Sequence, residues 1–138
     1  MSEEVTGAGT DIVGRPIHLG RHGSAEIEPT YTAEFAWYEA YGERHADDGT
    51  EGRLVALHTF DKSWTTWEMH PHGSEIVLCT AGKLVLHQER PEGSKATIEL
   101  VPGQYAINEP GTWHTADIDG TATALFITAG WGTQIRKR

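Results

Sequence analysis

The chain has one cysteine, Cys79, in 138 residues. That excludes an intrachain disulfide and fits a reducing compartment. Basic residues are also scarce: eleven Lys and Arg stand against twenty Asp and Glu, for a formal net charge of -9. A reader of nucleic-acid backbones needs a basic face, so DNA and RNA are not expected partners. The basic end Arg136-Lys137-Arg138 reads as a solvated terminus. No apolar run approaches the ~18 residues needed to cross a bilayer, which removes the membrane as an expected partner. The opening stretch from Met1 to Gly7 is acidic and lacks the apolar centre of a signal peptide, so a cytoplasmic location is expected. There is no internal repeat, linker, P-loop or dinucleotide fingerprint.

Glycine and proline are plentiful, sixteen and six, and they punctuate many short apolar runs. That pattern suits a turn-rich β protein, long enough to close one core without staples. Residues 1–52 read as an N-terminal arm followed by an aromatic helix or loop. The arm has apolar touches at Ile12-Val13 and Ile17-His18-Leu19. It is too polar and irregular to fold alone, and the surface expected for it is a second subunit. Tyr31 to His45 is the helical candidate, with Thr32 placed to cap it and Phe35, Tyr38 and Tyr41 on one face; Gly42 weakens it, and an aromatic loop is the alternative. Residues 53–138 then read as strand after strand: Arg53–Phe60, Trp64–His70, Glu75–Thr80, Lys83–Glu89, Ala96–Val101, Gln104–Asn108, Trp113–Asp117 and Ala122–Thr128. Even spacing and Gly or Pro turns predict a sandwich or small barrel.

Two runs carry the chemistry. The first is Glu68-Met-His-Pro-His-Gly-Ser-Glu75, closed by Gly82; the second runs from Gly103 through Glu109-Pro110-Gly111 to His114. Strand alternation puts Glu68 and His70 on one face, with Pro71 ending that strand. Glu75 opens the next strand and can face His70. Imidazoles with one or two carboxylates are what a first-row divalent metal asks for.

At these residues the chain resembles the cupin family, small double-stranded β-helix (jelly-roll) barrels with two short motifs. The resemblance covers roughly residues 53–128. The family's first motif is Gly, five residues, His-x-His, three or four residues, Glu, six residues, Gly; its second is Gly, five residues, Pro-x-Gly-x-x-His, three residues, Asn. Registered from Glu75 and Gly82, the second histidine of the first motif falls on His70, and Glu68 takes the place of the first. The alternative pairs His70 with His72 and shortens the spacer before Glu75. In the second motif Gly103, Gly111 and His114 keep family spacing, while Glu109 replaces the proline and Ile118 the asparagine; Lys62 stands where the first motif has its leading glycine.

The resemblance implies an all-β barrel with an N-terminal arm, and a homodimer. It also implies one divalent transition metal (Mn, Fe, Ni or Zn) held by Glu68, His70, Glu75 and His114. A carboxylate, Glu75, would move protons. Trp64 and Thr66 share the parity of Glu68 and are expected in the pocket. His72 is expected at its rim, and Cys79 points inward, more as a core residue than a catalytic one. The implied function is a metal-dependent enzyme acting on a small polar molecule by dioxygenase, isomerase or lyase chemistry. The alternative is a metal-free cupin that binds or senses a small ligand.

Overall fold

The computed structural model describes residues 4–138, so the first three residues of the expected arm lie outside the described part. The chain forms β1 (Ile17–Leu19), β2 (Ala25–Ile27), α1 (Phe35–Arg44), β3 (Arg53–Phe60), β4 (Thr66–Met69), β5 (Glu75–Ala81), β6 (Leu84–Glu89), β7 (Lys95–Leu100), β8 (Tyr105–Asn108), β9 (Trp113–Ile118), β10 (Ala122–Thr128) and β11 (Gln134–Lys137). They make a six-stranded sheet, β2-β1-β3-β10-β5-β8, and a five-stranded sheet, β11-β4-β9-β6-β7, both antiparallel. The core lies between them. Val77, Cys79, Leu84, Leu86, Ala116, Ala124 and Phe126 fill it from alternate positions of their strands.

Turns that need glycine fix the strand pairing. Gly82 joins β5 to β6 at φ +71°, and a Cβ there would sit 2.0 Å from the Thr121 carbonyl oxygen. Gly111, at φ +82°, donates its N–H to the His70 carbonyl at 3.0 Å. That bond ties the loop before β9 to the end of β4.

Three features differ from the sequence reading. The arm lies on the chain's own barrel: β1 pairs with β3, and β2 with β1. The helix is shorter than expected and buries Trp37, with Tyr41 stacked on it at 5.7 Å, while Phe35 is 79% exposed. Its N-cap is Glu34 rather than Thr32, and Thr32 Oγ1 accepts only the Glu34 N–H. Finally, the basic end is a strand. The Arg136 guanidinium lies 5.0 Å from the Trp67 ring and 4.5 Å from Trp113, and pairs with Glu89. Arg138 bonds the carbonyls of Trp64 and Ala116 and pairs with Asp117. These contacts tie the basic end to the sheet while its residues remain exposed.

Polar side chains hold α1 against the arm. His18, buried on β1, bonds Tyr41 and Asp48 through its two ring nitrogens, each at 2.6 Å. The His45 ring stacks on His18 at 3.6 Å and reaches Glu28 and Glu26 at 2.9 and 3.4 Å. This second histidine–carboxylate group is consumed by its own hydrogen bonds. No helix among the described residues is long and apolar enough to cross a membrane.

Candidate metal centre

Four of the expected residues come together inside the barrel. Glu68 on β4 pairs with His114 on β9, so both point to one side of that sheet. His70 follows β4, and Glu75 opens β5 in the other sheet. One ligand atom from each of Glu68, His70 and His114 lies within 4.8 Å of the other two. The Glu75 carboxylate stands 3.0 Å from His114 Nε2 and 3.2 Å from His70 Nε2, and Glu68 lies 4.0 Å from His114 Nε2. Two ligand atoms set at right angles on an ion at about 2.1 Å are about 3.0 Å apart. The Glu75 spacings match that figure.

The outer nitrogens of both imidazoles are committed elsewhere. His114 Nδ1 faces the Thr112 carbonyl at 3.3 Å, and a carbonyl only accepts, so Nδ1 carries the hydrogen. His70 Nδ1 bonds Thr133 Oγ1 at 2.7 Å, whose own hydrogen goes to the Gly130 carbonyl at 2.9 Å. In the neutral rings both Nε2 atoms are therefore bare lone pairs aimed inward. Both are buried, and neither has a hydrogen-bond partner among the described residues, since Glu75 lies close but out of line. An unpartnered buried polar atom is costly. Two converging on a carboxylate fit the donor set of a divalent transition ion.

Glu75 is itself braced. Asn108 Nδ2 donates to Oε1 at 3.0 Å and Thr128 Oγ1 to Oε2 at 2.6 Å. Gln88 donates to Asn108 Oδ1 at 2.8 Å. Burial alone would raise the Glu75 pKa, but the close His114 and His70 imidazoles overcome it and hold the carboxyl well below the usual range. At Glu68, burial and then the charge of Glu75 raise the pKa. At His114, burial opposes protonation, but Glu75 and Glu68 outweigh it and the pKa rises.

The other expected residues fall outside the cluster. His72 is exposed. Trp64 packs on the core with its ring 6.2 Å from His114, and its indole N–H is buried without a partner among the described residues. Thr66 gives its carbonyl to Thr115 Oγ1 at 2.8 Å. The Cys79 thiol is fully buried and its pKa is raised by burial, which disfavours a nucleophilic thiolate.

Sequence reasoning missed Asn108, Thr128 and Thr133, which orient the cluster, and His58, Tyr31 and Tyr38 above it. His58 lies 5.1 Å from the Tyr31 ring and 5.7 Å from Phe126. Burial lowers its pKa, with the charge of Glu75 opposing. The Tyr31 and Tyr38 hydroxyls bond at 2.5 Å, and burial raises the pKa of both, with the charge of Glu68 adding to it. For His58 a signal existed: it shares the inward parity of Ala56 on β3.

Two antiparallel sheets enclosing a histidine–carboxylate cluster make this a double-stranded β-helix with the fold of the cupin superfamily. No family model and no curated protein matches the chain. Among solved structures, it is similar to a double-stranded β-helix domain protein from Klebsiella pneumoniae (TM-score 0.51, 20% identity, 62% of this chain and 76% of that one). An oxalate oxidase matches with TM-score 0.51 and 17% identity over 59% of this chain, which spans only 44% of that protein. A cupin superfamily protein from Desulfitobacterium hafniense matches with TM-score 0.47 and 21% identity over 55% of this chain and 65% of that one.

Proposed function

We propose that the protein is a metal-binding cupin that acts on a small polar organic molecule. The ligands are His70, His114, Glu75 and Glu68, around one divalent transition ion: Mn, Fe, Ni or Zn. One observation carries this reading: the buried, unpartnered Nε2 atoms of His70 and His114, with their Nδ1 atoms fixed by Thr133 and Thr112. Bound there, the ion supplies Lewis acidity toward a substrate oxygen.

The chain's own groups divide the remaining work. Glu75, braced by Asn108 and Thr128, stays ionised and serves as a fixed ligand, not a proton carrier. Glu68, whose side chain keeps 36% of its surface, is the more exposed of the two carboxylate ligands, and in the metal-free protein burial and then the charge of Glu75 raise its pKa. The Trp64 N–H, buried beside His114, is free to hold a substrate acceptor in place. The Tyr31 ring packs beside His58, and its hydroxyl bonds that of Tyr38.

Metal analysis of the purified protein, followed by titration of stripped protein with Mn, Fe, Ni and Zn salts, tests the reading. The expected result is close to one ion per chain. No metal as purified and no uptake of any of the four would refute it and leave a metal-free ligand-binding barrel.

A further inference from the structure

Alternate residues of β6 face the core as Leu84, Leu86 and Gln88, so a buried amide ends an apolar series. Gln88 is 2% exposed and stands opposite His114 in the β6–β9 register. Its hydrogen bonds run in one direction. Exposed Arg90, just past β6, donates from Nη2 to Gln88 Oε1 at 3.2 Å. Gln88 Nε2 donates to the Ile107 carbonyl at 3.0 Å and to Asn108 Oδ1 at 2.8 Å. Asn108 Nδ2 then donates to Glu75 Oε1 at 3.0 Å. The first links fix the sense of the rest. A guanidinium only donates and a carbonyl only accepts, so Gln88 turns its oxygen to Arg90 and its nitrogen to Ile107. That leaves Nε2 facing Asn108, which answers with its oxygen and so aims its nitrogen at Glu75.

We propose that Gln88 is a positioning residue for the metal centre: it acts through Asn108 to hold the Glu75 carboxylate in place as a ligand. The proposal rests on the metal-binding reading above and extends it beyond the four ligands. Both oxygens of Glu75 are held alike. Oε1 accepts the Asn108 N–H and lies 3.0 Å from His114 Nε2; Oε2 accepts the Thr128 hydroxyl and lies 3.2 Å from His70 Nε2. Each oxygen has one donor behind it and one imidazole nitrogen beside it, which sets the carboxylate plane. A threonine hydroxyl rotates to suit its partner, but an asparagine amide has a wrong orientation. Inverted, Asn108 would set Oδ1 against Oε1, acceptor against acceptor, and push the carboxylate out of that plane. The Gln88 donor opposes the inversion, because an inverted Asn108 would also set nitrogen against nitrogen. Buried polar chains with their partners in place hold one arrangement. Outer partners of this kind tune metal affinity through the ligands they orient.

Competition titration of the stripped full chain with Mn, Fe, Ni and Zn salts tests the proposal. Gln88→Met keeps the length of the side chain and removes its donors, so affinity for the ions the parent binds should fall about tenfold or more. Leu84→Val, at an equally buried position of β6, should lower the melting temperature and leave the affinity unchanged. A residue that only filled space would behave like Leu84. A second measurement needs no variant and decides the matter if Gln88→Met does not fold. In the metal-free parent, the side-chain N–H signals of Asn108 should exchange with water far more slowly than those of a free asparagine. Unchanged affinity in Gln88→Met, an equal loss in Leu84→Val, or free exchange at Asn108 would each overturn the role of Gln88 and leave the metal site standing. A parent that takes up none of the four ions would overturn the metal reading, and the positioning role with it.

Discussion

Metal binding at this centre should release a proton, and the size of the effect follows from the geometry. His114 lies 3.0 Å from Glu75 and 4.0 Å from Glu68. Despite full burial, those carboxylates raise its pKa above the usual 6.5. Below that raised value Nε2 carries a proton that an entering ion must displace. Affinity should then fall about tenfold, or about 1.4 kcal/mol, for each pH unit below it. Above it the affinity should level off. Calorimetric titration at pH 6, 7 and 8, in buffers of different ionisation enthalpy, measures the proton count directly. We expect a count near one at pH 6 that declines toward pH 8, and in metal-free Glu68→Gln an His114 resonance that titrates at lower pH than in the parent. An affinity that stays flat from pH 8 to pH 6 with no proton released would refute the reasoning. The same groups set the stability of the metal-free protein. The depressed pKa of Glu75 gives stability that is present above its unfolded value of 4.5 and lost as the pH falls below it. The raised pKa of His114 gives stability present below 6.5 and lost as the pH rises through the folded value. This pair therefore favours the fold most between about pH 4.5 and 6.5.

Three substitutions probe the rest. His114→Ala, which removes a fully buried ligand, should lower metal affinity at least a hundredfold in a competition assay, and His72→Ala, at an exposed position, less than threefold; the reverse order would restore the His70–His72 register. Glu68→His should keep metal binding and Glu68→Ala should lose most of it; Glu68→Ala binding as tightly as the parent would remove Glu68 from the ligand set. Arg136→Ala gives up two cation–π contacts, at 5.0 and 4.5 Å, each worth about 0.5–1 kcal/mol. Its melting temperature should drop by roughly 3–8 °C, and an unchanged one would mean the strand end is held by its backbone pairing alone.

Strand periodicity was the most legible signal in this sequence. Arg53–Phe60 and Ala122–Thr128 match β3 and β10 to the residue, because apolar alternation and flanking turns agree there. The cluster was legible for a different reason: Glu68, His70 and Glu75 lie close in sequence, and Gly111 fixes where His114 falls. Its supports were not legible. Thr128 and Asn108 meet Glu75 because β10 and β8 flank β5, an adjacency that neither spacing nor composition records. Strand β11 was hidden because Arg136 and Arg138 look solvated until Trp67, Trp113 and Asp117 are in place around them. On α1, the period of the aromatics was right and the face wrong. Trp37 and Tyr41, four apart, pack inward where the arm offers His18, and Phe35 has nothing to cover.

Alternation along β5 also explains why the centre can be so exactingly placed in so small a barrel. Glu75, Val77 and Cys79 face in, while Ile76 and Leu78 face out. A slip of one residue would exchange these sets, putting Ile76 beside His70 and His114 and the Glu75 carboxylate outside. Three things oppose the slip. Asn108 and Thr128 would lose the carboxylate they bond. The two Nε2 atoms would face a hydrocarbon. Gly82 would leave the one position where the Thr121 carbonyl requires the absence of a Cβ.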